Sequence, residues 1–190
     1  MGEQCFSPNR FFVITGGPGT GKTTLLDALR AKQFPCIPEV AREIIREQVA
    51  CGGDALPWQN KAAYTQLMLT ASVEDYLQTM NEYTPGSVVF FDRGIPDTLC
   101  YAAMIGLEIP GEPELASRYR YHRRVFILPP WPEIYHTDAE RKQTWEEAVF
   151  TYEMMKKTYS KHGYQLIDVP LVPVVERVKF LERHIREELP

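Results

Sequence analysis

Residues 10–24 read Arg10-Phe11-Phe12-Val13-Ile14-Thr15-Gly16-Gly17-Pro18-Gly19-Thr20-Gly21-Lys22-Thr23-Thr24, and this stretch decides the fold. A short continuous apolar run, 10–15, is the signature of a strand buried on both faces. A glycine-rich turn follows it, and Leu25, Leu26 and Leu29 then recur at helical spacing. The turn fits G-x-x-x-x-G-K-[ST] from Gly16 to Thr23, the phosphate-cradling P-loop. Glycines let backbone N–H groups converge on a phosphate, and the helix that follows adds its positive N-terminal dipole. The motif assigns Gly17, Pro18, Gly19, Thr20, Gly21, Lys22, Thr23 and Thr24 to a nucleoside triphosphate, with ATP expected. Lys22 is expected to reach the β- and γ-phosphates and Thr23 to ligate Mg²⁺.

Outward from this unit, apolar runs at 34–38, 87–91, 124–128 and 165–169 read as further strands. Helical periodicity fills 39–50, 57–83, 96–105, 139–161 and 174–189. In 57–83, Tyr64, Leu67, Met68, Ala71 and Leu77 are the expected core positions. Strands alternating with helices imply an α/β fold of three layers, with a parallel sheet of about five strands between helices. Ligands in such sheets sit beyond the carboxyl ends of the strands. The expectation is one domain over 1–190, with a flexible polar N-terminus at 1–9.

Asp92 closes the run Ser87-Val88-Val89-Phe90-Phe91. An acid there either supports Mg²⁺ as a second metal group or caps the next helix. Arg93 beside it carries a planar fork suited to two phosphoryl oxygens. Asp97, in the first turn of the next helix, either faces an acceptor or complements the helix dipole. Glu39, Arg42, Glu43 and Arg46 share one helical face, which is either an acceptor site or a solvated face of ion pairs. Glu39, Arg42 and Glu43 are candidate acceptor contacts. Between 129 and 138 the chain reads as an irregular segment carrying Trp131. Thr137 and Glu140 make a capping box there, and Arg141 sits in a first turn where the dipole disfavours a cation.

Several phrases together resemble a known family: Gly16 to Thr23, Pro38-Glu39-Val40-Ala41-Arg42-Glu43, Asp92-Arg93-Gly94, Phe126-Ile127-Leu128-Pro129-Pro130-Trp131 and Asp138-Ala139-Glu140-Arg141. They resemble a family of predicted P-loop ATPases that includes the ribosylnicotinamide kinase domain of a bacterial NAD-biosynthesis regulator. The Asp-Arg pair more distantly resembles thymidylate and deoxynucleoside kinases. The resemblance implies a kinase-like fold with a lid and a small nucleoside-like or ribosyl acceptor. Within it Glu39 would orient or deprotonate the acceptor hydroxyl, and Arg141 would close on the triphosphate. An ATPase or nucleotide switch with water as acceptor is the alternative.

The 190 residues carry a formal net charge of −4 and are 44% hydrophobic. That balance supports an ordinary core and argues against general nucleic-acid binding, which rests on many Lys and Arg contacts. The local run Arg118, Arg120, His122, Arg123 and Arg124, interleaved with Tyr119 and Tyr121, is either an RNA surface or a solvated helix end. Cys5, Cys36, Cys51 and Cys100 form no C-x-x-C pair. Scattered thiols suit a reducing compartment, and with no membrane-length apolar run the expected location is cytoplasmic.

Overall fold

The computed structural model describes residues 10–84, 86–134 and 144–188. Five parallel strands form one sheet in the order β2-β3-β1-β4-β5. They are β1 (Phe11–Gly16), β2 (Cys36–Ile37), β3 (Val89–Asp92), β4 (Arg124–Leu128) and β5 (Gln165–Asp168). The helices are α1 (Lys22–Ala31), α2 (Val40–Cys51), α3 (Lys61–Glu82), α4 (Ile95–Met104), α5 (Glu112–Arg118), α6 (Trp145–Lys161) and α7 (Val174–Glu188).

Alternation along the strands sorts the core onto two faces. Phe12 and Ile14 of β1, Phe90 of β3, and Phe126 and Leu128 of β4 pack against Leu25, Leu26 and Leu29 of α1 and Val178, Leu181 and Ile185 of α7. Val13, Val89, Phe91 and Val125 point the other way, onto Leu69 and Tyr76 of α3, Ile95 and Leu99 of α4, and Tyr159 of α6. Both faces are covered, as a parallel sheet requires. Among the described residues, no helix is long and apolar enough to cross a membrane.

The register matters for function. Ile14 of β1 pairs with Asp92 of β3 on one side and Phe126 of β4 on the other. The turn after β1 and the turn after β3 therefore open side by side at the carboxyl edge of the sheet.

Some expectations are corrected. Leu67 and Leu77 are exposed, at 37% and 44%. The sheet-facing stripe of α3 runs instead through Thr65, Leu69, Ser72, Tyr76 and Thr79, because a helix of weak amphipathicity takes its orientation from its neighbours. A second face, with Tyr64 and Met68, packs on Ile44 of α2. α6 begins at Trp145 rather than at 139. Thr144 and Glu147 form its capping box, the Glu147 N–H donating to the Thr144 hydroxyl and the Thr144 N–H to the Glu147 carboxylate. Thr137, Asp138, Glu140 and Arg141 lie outside the described residues, as do residues 1–9. The short helix α5 was not expected from the sequence.

Candidate functional site

Gly16 closes β1 with φ 151°, and a Cβ there would come within 2.9 Å of the Leu128 carbonyl oxygen. Only glycine lets the loop leave the sheet so close to β4. Gly21, with φ 76°, begins α1 as its N-cap and carries no side chain to cap it. No acidic residue occupies the first turn of α1, and the Thr20 hydroxyl donates back to the Gly17 carbonyl at 2.9 Å. The N–H groups at the start of α1 thus keep their bonding capacity for an anion. Thr23 and Thr24 are exposed in that first turn, whereas Lys22 is buried.

Lys22 is held at its tip by two acids. Its Nζ donates to the Asp92 carboxylate and lies 3.6 Å from Glu39 Oε2. Asp92 ends β3, and Glu39 stands at the N-cap of α2, just after β2. Arg93 extends the array. Its Nε donates to Glu39 Oε1 at 2.8 Å and its Nη1 to Asp97 Oδ1 at 3.2 Å. Arg93 has φ 72°, a left-handed backbone that costs a side-chain-bearing residue about 1–3 kcal/mol. Its fork on two carboxylates holds it there.

Asp97 is the most enclosed member. Besides Arg93, it accepts from the hydroxyls of Thr15 and Tyr159 and from the Gly94 N–H at 2.8 Å. Burial alone would push the Glu39 carboxyl up, but Arg93, Lys22 and, last, Arg42 together hold it below the ordinary carboxylate range. Burial likewise works against the Arg93 charge, and Glu39, Asp97 and Asp92 more than restore it. Glu39 and Arg93 are therefore both charged throughout the physiological range.

A cavity of about 340 Å³ adjoins this array, at the small end of the ~300–1,000 Å³ typical of small-molecule sites. Pro18 of the glycine loop, Glu39, Asp92, Arg93 and Asp97 line it. Tyr64 and Met68 of α3 and Tyr101 and Met104 of α4 also line it, the two tyrosine rings meeting edge to face at 5.8 Å. Of the residues expected from the sequence, Glu39, Asp92, Arg93 and Asp97 come together here. Arg42 and Glu43 do not: both are exposed on α2 and neither lines the cavity. Arg141 lies outside the described residues.

The basic run before β4 is engaged within the chain. Arg120 donates to the His162 carbonyl and stacks on Tyr164 at 4.2 Å, and Arg123 and Arg124 pair with Glu188. Sequence reasoning missed Tyr64, Met68, Asp75, Tyr101 and Met104 as cavity residues. It also missed Arg177 of α7, which is 5% exposed. The Arg177 Nη1 donates to the Thr20 carbonyl at 3.3 Å, and the guanidinium lies 5.1 Å from the Trp131 ring centre. No local pattern marks these positions, since each is brought in by packing between elements distant in sequence.

A family model for an AAA domain matches residues 11–177, which hold both the glycine loop and the carboxylate–arginine array. The chain belongs to this AAA domain family. Among solved structures, this AAA domain is similar to the NadR protein in complex with NR, with a TM-score of 0.71 and 19% identity over 97% of this chain. It spans about half of that protein, 52% of its length. It is also similar to deoxyadenosine kinase from M. mycoides, at TM-score 0.58 and 15% identity over 93% of this chain and 99% of that one. Thymidylate kinase from Ehrlichia chaffeensis matches at TM-score 0.58 and 15% identity, over 94% of this chain and 98% of the other. At these identities the likeness is one of fold, and that fold is the P-loop kinase fold. No curated protein matches the chain.

Proposed function

We propose that this AAA domain is a kinase-like phosphotransferase that moves the γ-phosphoryl group of ATP to a hydroxyl of a small nucleoside-like acceptor. The observation that carries this reading is the cavity of about 340 Å³ that opens against the glycine loop through Glu39, Asp92 and Arg93. A protein that only hydrolysed a nucleotide would have no use for an apolar, aromatic-walled chamber at that place.

The loop fits a nucleotide. The start of α1 is uncapped and free of acids, and Lys22 stands at its head with its tip on Asp92. Thr23 and Asp92 would hold Mg²⁺, which when bound offsets phosphate charge as phosphoryl transfer demands. In this reading Lys22 exchanges its carboxylate partners for phosphate oxygens. Arg93 keeps Glu39 oriented toward the acceptor. Glu39 is held below the ordinary carboxylate range by Arg93 and Lys22 against burial. It is therefore a hydrogen-bond acceptor that aligns the hydroxyl and takes its proton late, rather than a strong base. Alignment is where most of the rate in phosphoryl transfer arises.

The test is ADP formation from Mg·ATP with and without a pool of nucleosides and ribosides, with Lys22→Ala as the blank. ADP that rises with the pool and disappears in Lys22→Ala supports a kinase. The AAA domain match favours a second reading, in which water is the acceptor. ADP formed at the same rate without the pool, and lost in Lys22→Ala, would select it.

A further inference from the structure

The walls of the cavity are unequal in charge. α3 contributes Tyr64, Met68, Ser72 and Asp75 to the lining, spaced so that they fall on one stripe of the helix. α4 answers with Thr98, Tyr101 and Met104. The stripe runs from an aromatic ring through a thioether and a hydroxyl to a carboxylate, over about 16 Å of helix at 1.5 Å per residue.

Four carboxylates line the chamber, Glu39, Asp75, Asp92 and Asp97, and Arg93 is the cation among the lining residues. Three of the four have a cationic partner. Asp92 has Lys22, Asp97 has Arg93, and Glu39 has both. The Asp75 carboxylate has no hydrogen-bond or ion-pair partner among the described residues. Its backbone carbonyl serves Thr79, and the charges that reach its side chain are those of Glu43 and Glu74, which with burial push its pKa up. A half-buried carboxylate facing an apolar chamber without a donor is costly unless something else supplies one.

We propose that Asp75 is a specificity residue of this cavity, accepting a hydrogen bond from an amino group on the ring of an unphosphorylated nucleoside-like acceptor. This rests on the reading of the cavity as the acceptor site. The base packs within the chamber, its ribosyl end toward Glu39 and Arg93 and its amino edge toward Asp75. The same excess of negative charge rejects an acceptor that already carries a phosphate, because like charges brought together in a partly desolvated chamber repel.

The experiment is calorimetric binding to the full chain of two pairs that differ by amino against oxo, adenosine with inosine and cytidine with uridine, together with AMP and CMP. The amino member of at least one pair binds about tenfold tighter than its partner, as a hydrogen bond to a charged group allows, and tighter than its monophosphate. In Asp75→Asn, whose amide can donate to an oxo group, the preference falls within about twofold or inverts. Asp75→Glu keeps its direction. The urea midpoint of each variant reports on its fold. Equal affinity within both pairs, tighter binding of the monophosphates, a preference unchanged in Asp75→Asn, or no binding of any nucleoside at millimolar concentration would each overturn the proposal. An amino preference lost in Asp75→Asn without ADP formation from Mg·ATP would leave Asp75 assigned and sink the phosphotransferase reading instead. ADP formation stimulated equally by all four nucleosides would do the reverse.

Discussion

Replacing Asp97 should cost the fold more than any other single change in the site. Its side chain is 6% exposed and takes a guanidinium contact at 3.2 Å from Arg93. It also accepts from two hydroxyls, on Thr15 and Tyr159, and from the Gly94 N–H at 2.8 Å. Hydrogen bonds to a charged group are each worth about 1.5–3 kcal/mol, but they are not additive within one network. Removing one partner of a buried ion pair costs about 3–5 kcal/mol, because the other charge stays buried. Asp97→Ala is therefore expected to lose about 4 kcal/mol. For a domain of this size that lowers Tm by about 8–16 °C, at ~2–4 °C per kcal/mol. Urea unfolding followed by far-ultraviolet circular dichroism measures the loss, and Asp97→Asn serves as a milder form. Tyr159→Phe alone should cost about 1.5 kcal/mol. In an Asp97→Ala background it should cost close to nothing, since its hydroxyl has already lost its acceptor. A loss below about 1 kcal/mol in Asp97→Ala, or strict additivity with Tyr159→Phe, would refute the idea that Asp97 organises the array.

Two further predictions concern the loop and the acid limb of stability. Gly21→Ala meets a left-handed backbone at φ 76° and places a Cβ 3.0 Å from the Arg177 guanidinium. It should cost about 1–3 kcal/mol and weaken nucleotide binding by more than tenfold; an unchanged urea midpoint would contradict it. Burial holds His122 and His162 below the ordinary histidine pKa of 6.5, so the folded state resists a proton that the unfolded chain accepts. Their contribution is complete above that pH and is lost as pH falls from 6.5 toward the folded values. Glu39, whose pKa is likewise depressed, adds a second decline below 4.5. Urea midpoints measured from pH 8 to pH 4 should show the first decline shrink in His122→Asn/His162→Asn, and an equally steep decline in that variant would exclude the histidines as its source.

Much of the architecture was legible because its signals are local. Continuous apolar runs marked the sheet, and all five strands fall within a few residues of where those runs lie. The Gly16–Thr23 pattern placed the turn between β1 and α1. Asp92 and Arg93 were legible because they follow a strand, and Glu39 because it precedes a helix at the same sheet edge. Local signals misjudged the long helix α3. Its apolar residues are spread around the axis, so Leu67 and Leu77 looked as fit for the core as Leu69 and Tyr76. The start of α6 was misplaced because the T-x-x-E pattern occurs twice in tandem in the sequence, at 137–140 and at 144–147, and α6 opens at the second.

By itself the sequence determined that this chain builds a parallel sheet with a phosphate-binding turn at its carboxyl edge. Hydrophobic periodicity and glycine placement act over a few residues and can be read in one dimension. Only the tertiary structure decided which charges neutralise one another and what shares the cavity. Lys22 meets Asp92 across 70 positions and Arg93 meets Glu39 across 54. Tyr64 faces Tyr101, while Asp75 joins the same wall without a cation among the described residues. Arg42 and Glu43, which share a helical face with Glu39 in the sequence, turn outward on α2. Such partnerships depend on how helices pack over the sheet, and the energy of a carboxylate depends on what it faces across that packing rather than on its neighbours along the chain.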